Sequence, residues 1–420
     1  MDRIVMMFVE KNDVELKECL ACGSSDLKLT LDLGFQPLAN SYRKDKSEWL
    51  EMFPLAINLC KNCYHVQLTH AVNPDLMFKD YLYVSGTSKT MNDHFEWFAR
   101  YSKEYFEALS NEFLDTVLDI GCNDGSQLNY FISDTTETYG VDPAENLAAT
   151  SRAKGHDIHV GYFDESFVKT AGMYAIVIAQ NVFAHNYDPL TFLKNAKDVM
   201  ARNSLLFIQT SQADMIRNNE FDTIYHEHIS FYNINSMNEL CKRAGLNLID
   251  VIKCPLHGNS YIFVISKYAS RSANIENLID MERKAGLLTD STYEKYACEC
   301  SSVAHDFKDA IDRAKSTKYK IIGYGAAAKG MTLLNYAGIS FVEMDYIIDD
   351  NPLKQGLYTP GSSIPIVSSD ILSTLSPSDK VVFVPLAWNF FDEIKSKIKT
   401  KRDNDNDLFL KYFPDVGFVE

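Results

Sequence analysis

The 420-residue chain lacks any apolar run of about 18 residues, so no segment is long enough to cross a bilayer as a helix. Positive charge is scarce: 41 Lys and Arg stand against 57 Asp and Glu, a formal net charge of −16. A nucleic-acid surface needs a cationic footprint, so a nucleic-acid partner is not expected. The opening MDRIVMMFVEKNDVE holds an apolar stretch too short, and too soon broken by charge, for a secretory signal, and the expected compartment is the cytoplasm. No internal repeat and no low-complexity tract interrupts the chain. What is present is a globular composition, 46% hydrophobic and 12% aromatic, in a chain too long for one core, so two to three domains are expected. Nine cysteines without an export signal point to a reducing compartment, where paired thiols hold metal more often than they form disulfides.

The cysteines are not evenly spread. Cys19-x-x-Cys22 and Cys60-x-x-Cys63 form two knuckles. Each presents two thiolates on a tight turn, and two knuckles close a tetrahedral S₄ shell around zinc, with iron–sulfur ligation the lesser alternative. Four protein ligands leave no open position, so the metal is expected to be structural. Cys122, Cys241, Cys254, Cys298 and Cys300 show no metal spacing.

Past this region strand and helix patterns alternate. Strands are expected at Val117–Ile120, Thr138–Val141, Ile158–Val160, Tyr174–Ala179, Ser204–Gln209 and Tyr261–Ser266. A connecting helix with one apolar face is expected over Ser291–Ala314, then strands at Lys320–Tyr324, Tyr346–Ile348 and Lys380–Val384. Lys399–Asp407 reads as a charged, solvated loop. The division expected is 1–75, 76–272 and 273–420.

Thr116–Ser126, TVLDIGCNDGS, carries most information. An apolar strand runs into Gly121 and Gly125, which lack a Cβ and permit a sharp turn close to a ligand. Gln127–Ile132 can open a helix whose N-terminus favours an anionic group. Asp142 ends the next strand, at about the 20-residue spacing at which an acid accepts ribose hydroxyls in nucleotide-binding α/β folds. The glycines do not form GxGxxG. They resemble the first motif of class I S-adenosylmethionine (SAM) methyltransferases.

Phe221–Phe231, FDTIYHEHISF, sets Tyr225, His226, Glu227 and His228 in a row between apolar residues. Such side chains are costly to bury unless they work or are paired. A strand would face Tyr225 and Glu227 one way and both histidines the other; a helix would fan them out. The row is not HExxH. His185, in Asn181-Val-Phe-Ala-His185, follows an apolar strand where open α/β sheets bind ligands. Ser85–Ser88, between aromatic-rich flanks with Tyr81 and Tyr83, reads either as a helix N-cap or as a ligand loop.

In this order the motifs resemble the sugar C-methyltransferase family of deoxysugar biosynthesis. The matching segments are the knuckles with LDLGFQPLANSY (Leu31–Tyr42), YLYVSGTS (Tyr81–Ser88), VLDIGCNDGS (Val117–Ser126), NVFAH (Asn181–His185), FDTIYHEH (Phe221–His228) and GYGAAAKGMTLLNY (Gly323–Tyr336). The resemblance implies an α/β chain: a class I SAM methyltransferase doubly wound sheet, flanked by a small zinc-binding domain and a C-terminal Rossmann-like α/β domain. It implies C-methylation at C3 of a nucleotide-linked 4-keto sugar, by a monomer or small homo-oligomer. It places Tyr225, Glu227, His228, His185 and a tyrosine of the YLY segment, Tyr81 or Tyr83, in the active site. Asp119, Gly121, Asn123, Gly125, Asp142, Ser88 and Asn181 form the expected cofactor set. Ser85, His257, Asn259, Lys329, Trp388 and Asn389 form the expected substrate set. Two departures stand out: Gln209-Thr210-Ser211 replaces the family's Glu-x-Pro, and His257-Gly258-Asn259-Ser260 replaces HGGS and lacks the arginine that follows it.

A carbon accepts a methyl group from SAM only after a neighbouring ketone has acidified its C–H. The chemistry needs a base near neutral pKa and a donor for the enolate oxygen. Histidine suits the base, and His228 is the candidate. Gly323–Ala328 also fits GxGxxA, with Asp345, Asp349 and Asp350 beyond it, so an NAD-dependent sugar-nucleotide oxidoreductase is an alternative, as is an O- or N-methyltransferase.

Overall fold

Strands that are apolar on both faces need cover on both faces, and three such strands, extended by two with more exposed residues, make a five-stranded parallel run in the middle of the chain. In the computed structural model, which describes residues 12–78, 86, 89–210, 214–255, 259–269 and 273–419, these are β1 (Thr116–Ile120), β2 (Glu137–Asp142), β3 (Asp157–Val160), β4 (Tyr174–Gln180) and β5 (Met200–Thr210). They join β6 (Asn247–Cys254) and β7 (Ser260–Ser266) in a seven-stranded sheet ordered β6-β7-β5-β4-β1-β2-β3. The pairs among β1 to β5 are parallel; β7 runs antiparallel to both β5 and β6. Strand order reverses between β1 and β4, the switch point where a doubly wound sheet opens its ligand crevice. Six expected strands are observed within a few residues, whereas β6 was not anticipated. It is an edge strand whose half-buried Asn247 and Asp250 and exposed Lys253 interrupt the apolar pattern.

The N-terminal residues build a four-stranded antiparallel sheet from Leu27–Pro37, Met52–Cys60, Val66–Leu68 and, far along the chain, Ser230–Phe231. Its inner residues, among them Leu31, Leu55, Ile57 and Leu68, share one apolar core with the long helix Asp290–Ser316. That helix buries Tyr293, Tyr296, Cys300, Val303, Ala304, Phe307 and Ile311, the face its periodicity predicts.

The C-terminal sheet is ordered Ile366–Val367, Tyr346–Ile348, Lys320–Tyr324, Val381–Pro385, Leu408–Lys411, Gly417–Val419, parallel except for the last strand. Two local expectations are corrected here. Gln127–Ile132 holds only a four-residue 3₁₀ turn, Leu128–Phe131, not an α-helix with an anion-attracting end. The charged tail is not wholly solvated: Arg402 and Asp407 are both buried and paired at 2.7 Å. The Arg402 guanidinium also donates to the carbonyls of Ser376 and Asp379. Among the described residues no helix is long and apolar enough to cross a membrane.

Candidate active site and zinc centre

The four knuckle sulfurs lie within 4.8 Å of one another, with Cys19–Cys63 at 3.6 Å and Cys22–Cys60 at 3.5 Å. Four converging thiols suit a tetrahedral zinc shell. Side chains from elsewhere brace the knuckles: Arg243 donates to Ala21 O at 2.7 Å, Asn235 to Cys63 O at 2.9 Å and Asn233 to Tyr64 O at 2.7 Å.

At the switch point the β1 loop meets the β4 loop. Gly121 and Gly125 both have φ of +75°, where a Cβ is strained. What they avoid is protein: a Cβ on Gly121 would sit 2.6 Å from Val182, and one on Gly125 2.3 Å from Ser151 Oγ. Close packing against Val182 and against Ser151, on the helix Glu145–Ala153, requires glycine at both positions, in addition to the sharp turn expected near a ligand. Asp142 ends β2 with its carboxylate fixed by the N–H groups of Asn123 and Ala144, each at 2.8 Å. Burial pushes its carboxyl up, and pushes that of Asp119, inside β1 and facing the Asp142 charge, up further. Asn181 takes a left-handed φ of +55°, and its Oδ1 is buried without a hydrogen-bond partner among the described residues. An orphaned acceptor, a glycine turn and a fixed carboxylate at one crevice fit SAM.

Tyr225 to His228 are neither strand nor helix. They make a tight turn closed by His228 N–H donating to Tyr225 O at 2.8 Å. The turn breaks the alternation expected of a strand and brings Tyr225 Oη within 2.7 Å of His228 Nε2. His228 Nδ1 lies 2.8 Å from Thr223 O. A carbonyl only accepts, so Nδ1 carries the proton and Nε2 offers its lone pair to the Tyr225 hydroxyl. The His228 ring stacks on His185 at 5.3 Å, and His185 stacks on Phe78 at 5.5 Å. Ile229 N–H donates to Ala184 O at 2.8 Å, fastening the turn to the NVFAH segment. Burial depresses His185 to about 4, so it is neutral near pH 7. His226 turns instead toward Phe53 and is likewise depressed to about 4 by burial. Glu227 accepts from Asn40 Nδ2 at 2.6 Å.

The helix Ala328–Tyr336 and the turn Trp388–Phe390, which flank the C-terminal sheet, meet the same segment from the other side. Thr332 Oγ1 donates to Ile224 O at 3.1 Å, and Trp388 Nε1 donates to Asp222 at 2.8 Å. Lys329 lies over the Trp388 ring at 5.1 Å. Burial raises Asp222 to about 6, with Lys329 acting against it, and raises neighbouring Glu220 to about 7. Asn389 is half-buried beside Trp388. Asn259 donates to Asp214, which also pairs with Lys253. The acids beyond the GxGxxA loop are engaged internally: Asp349 accepts from the N–H groups of Ala326 and Asn351, and Asp345 from that of Ile321. Gln209 is fully buried at the end of β5 and accepts from His94 Nε2 at 3.0 Å, and burial lowers the pKa of His94. Tyr81, Tyr83, Ser85, Ser88 and His257 lie outside the described residues. Phe78 and Asn40 were missed by sequence reasoning. An aromatic before the YLY segment was visible, and Asn40 lies inside the quoted Leu31–Tyr42 segment, but nothing local tied it to Glu227, 187 positions away.

Three family profiles match in chain order: a zinc binding domain over 19–78, a methyltransferase domain over 93–251 and a C-methyltransferase C-terminal domain over 255–414. The C-methyltransferase NovU of Streptomyces niveus is 29% identical over 400 residues, covering 93% of this chain and 94% of its own. Among solved structures, the plantazolicin methyltransferase BpumL with bound SAH is 14% identical, covering 43% of this chain and 86% of its own, with a TM-score of 0.36. A SAM-dependent methyltransferase from Clostridium acetobutylicum is 11% identical, covering 42% and 92%, with a TM-score of 0.35. Sheet order, crevice and profile matches together define a SAM-dependent methyltransferase of class I fold with a structural zinc site. More narrowly, the C-methyltransferase C-terminal domain match and the likeness to NovU over nearly the whole chain support the C-methyltransferase family that its motifs resemble.

Proposed function

We propose that the enzyme methylates C3 of a nucleotide-linked 4-keto-deoxysugar, in deoxysugar biosynthesis. The supporting observation is the hydrogen-bonded Tyr225–His228 pair, with the neutral His185 ring stacked on it, joined by a backbone hydrogen bond to the β4 loop at the switch point. SAM, when bound, supplies the electrophilic methyl group; the chain's own task is to make the acceptor carbon nucleophilic. His228 Nε2 is the final proton acceptor. The C3 proton goes to Tyr225 Oη as the tyrosine's own proton passes to Nε2, leaving an enolate on the sugar. His185, neutral through burial, is the donor for the enolate oxygen. Glu227, fixed by Asn40, accepts from a sugar hydroxyl.

Asp142 takes the ribose hydroxyls, with Asp119, Gly121, Asn123, Gly125, Ser88 and Asn181 completing the SAM contacts. Lys329, Trp388 and Asn389, with Ser85, His257 and Asn259, serve the sugar nucleotide. This reading divides the work among units 1–75, 76–272 and 273–420. The test is mass and NMR analysis of products from SAM with a panel of nucleotide-linked 4-keto sugars. A new methyl carbon bonded to C3 is expected. A methyl group on oxygen or nitrogen overturns the proposal in favour of O- or N-methylation.

A further inference from the structure

The connection Leu38–Glu48, between the two long strands of the zinc-bearing sheet, reaches the acceptor side of the site. Asn40 Nδ2 donates to Glu227 Oε1 at 2.6 Å. Only an NH₂ group faces a carboxylate favourably, so the amide orientation is set. Two residues on, Tyr42 Oη donates to Ala326 O at 2.6 Å, and Lys354 Nζ reaches the same carbonyl at 2.7 Å while lying 5.1 Å over the Tyr42 ring. Arg43 then anchors the connection. Its backbone exchanges hydrogen bonds with Tyr358 at 3.0 and 2.7 Å, and its guanidinium donates to Lys46 O, Glu48 O and Ser363 Oγ. The strap that carries Asn40 is thus fixed to the loops that follow the first two strands of the C-terminal sheet, at Ala326 and at Lys354–Ser363.

The zinc-bearing sheet itself grips the other end of the catalytic turn. Ser230 and Phe231 pair with Gln67 and Val66, and Leu68 N–H donates to Ile229 O at 2.9 Å. Buried His65 lies 3.2 Å from Ser230 Oγ. Tyr225–His228 is therefore held by the zinc-bearing sheet through its following strand and through Asn40.

We infer that Asn40 is a positioning residue for Glu227, so that the zinc-bearing unit furnishes part of the acceptor site as well as stability. A free glutamate side chain has several rotamers, and one charge-assisted hydrogen bond from a rigid strap fixes the carboxylate before the sugar arrives. The inference rests on the proposed acceptor-binding role of Glu227.

The test is a double-mutant cycle in the full-length, zinc-loaded enzyme with Asn40→Ala, Glu227→Gln and the pair. Each is assayed on a nucleoside-diphosphate-linked 4-keto-deoxyhexose, with SAM affinity and melting temperature measured alongside. Asn40→Ala is expected to lower kcat/KM for the sugar about 10- to 100-fold, as for a lost hydrogen bond to a charged group. SAM affinity should stay within about two-fold and zinc at full occupancy. In the Glu227→Gln background the same change should cost less than about three-fold, since partners in one contact are not additive. Asn40→Ser, which keeps a short donor, should fall between parent and alanine and covers the case in which Asn40→Ala does not fold. Losses that multiply independently of Glu227, or a parallel fall in SAM affinity, overturn the role of Asn40. A parent that methylates no keto sugar overturns the proposed function instead, and the cycle is then read on the acceptor class that the panel shows to be methylated.

Discussion

His228→Asn is the sharpest perturbation of the proposed chemistry. The asparagine amide can take over the Nδ1 donation to Thr223 O, now 2.8 Å, so the turn keeps one of its two ties. It offers nothing in place of Nε2, which receives the Tyr225 hydroxyl at 2.7 Å. It also removes a ring packed 4.0 Å from Tyr225 and 5.3 Å from His185. The stability cost is that of one half-buried hydroxyl losing this acceptor and a modest loss of packing, about 1–3 kcal/mol at most. The catalytic cost is that of a general base, about 10²- to 10⁴-fold in kcat. Deprotonation can be read apart from methyl transfer. In heavy water, with S-adenosylhomocysteine in place of SAM, the parent should exchange the C3 hydrogen of a 4-keto sugar nucleotide, and NMR follows the loss of signal. The variant should lose exchange and methylation together while binding both ligands within a few-fold of the parent. Exchange at the parental rate would refute His228 as the proton acceptor. Tyr225→Phe, which keeps the ring and removes the hydroxyl, separates relay from direct transfer: parental exchange in that variant leaves His228 acting directly.

Four further outcomes are expected. Asp142→Ala should weaken SAM about 10- to 100-fold by calorimetry, because two hydroxyls lose a charged acceptor worth about 1.5–3 kcal/mol; unchanged affinity moves the ribose contact elsewhere. Gly125→Ala places an L side chain at φ +75° and a Cβ 2.3 Å from Ser151 Oγ, and the sum of backbone strain and overpacking, about 2–5 kcal/mol, should lower the melting temperature and abolish SAM binding. Arg402→Met leaves the Asp407 carboxylate buried without its partner and should cost about 3–5 kcal/mol by denaturant titration, with kcat at low temperature unaffected. Cys60→Ser removes one of four thiolates, and metal analysis should show zinc lost together with a drop in thermal stability.

The strands around the crevice were legible because burial on both faces writes an unbroken apolar run, as in Tyr174–Ala179, where each residue is buried. β6 was not, since Asn247–Cys254 is an edge strand whose half-buried polar residues mask its apolar ones. The knuckles were legible because metal spacing is local. The composition of the site was also local, in YHEH, but its shape was not: a strand would have parted Tyr225 from His228, a helix would have set them on one face without fixing their polar atoms, and the turn joins them in a hydrogen bond. Asn40–Glu227 and Arg402–Asp407 show two kinds of illegibility. The first pair is separated by 187 positions, nearly half the chain. The second sits inside a run of charge that, by composition alone, reads as surface.

The strand Ser230–Phe231 also has a consequence for how the molecule is made. His65 and its partner Ser230 are 165 positions apart, so the N-terminal sheet leaves the ribosome long before its fourth strand exists. At roughly 5–20 residues per second the interval is on the order of ten to thirty seconds. Throughout it Val66–Leu68 presents an open hydrogen-bonding edge, the kind of surface on which nascent chains pair with one another. Soluble yield should therefore depend on how fast translation delivers residues 229–231 to that edge, and slowing synthesis between the two segments should favour aggregates over enzyme.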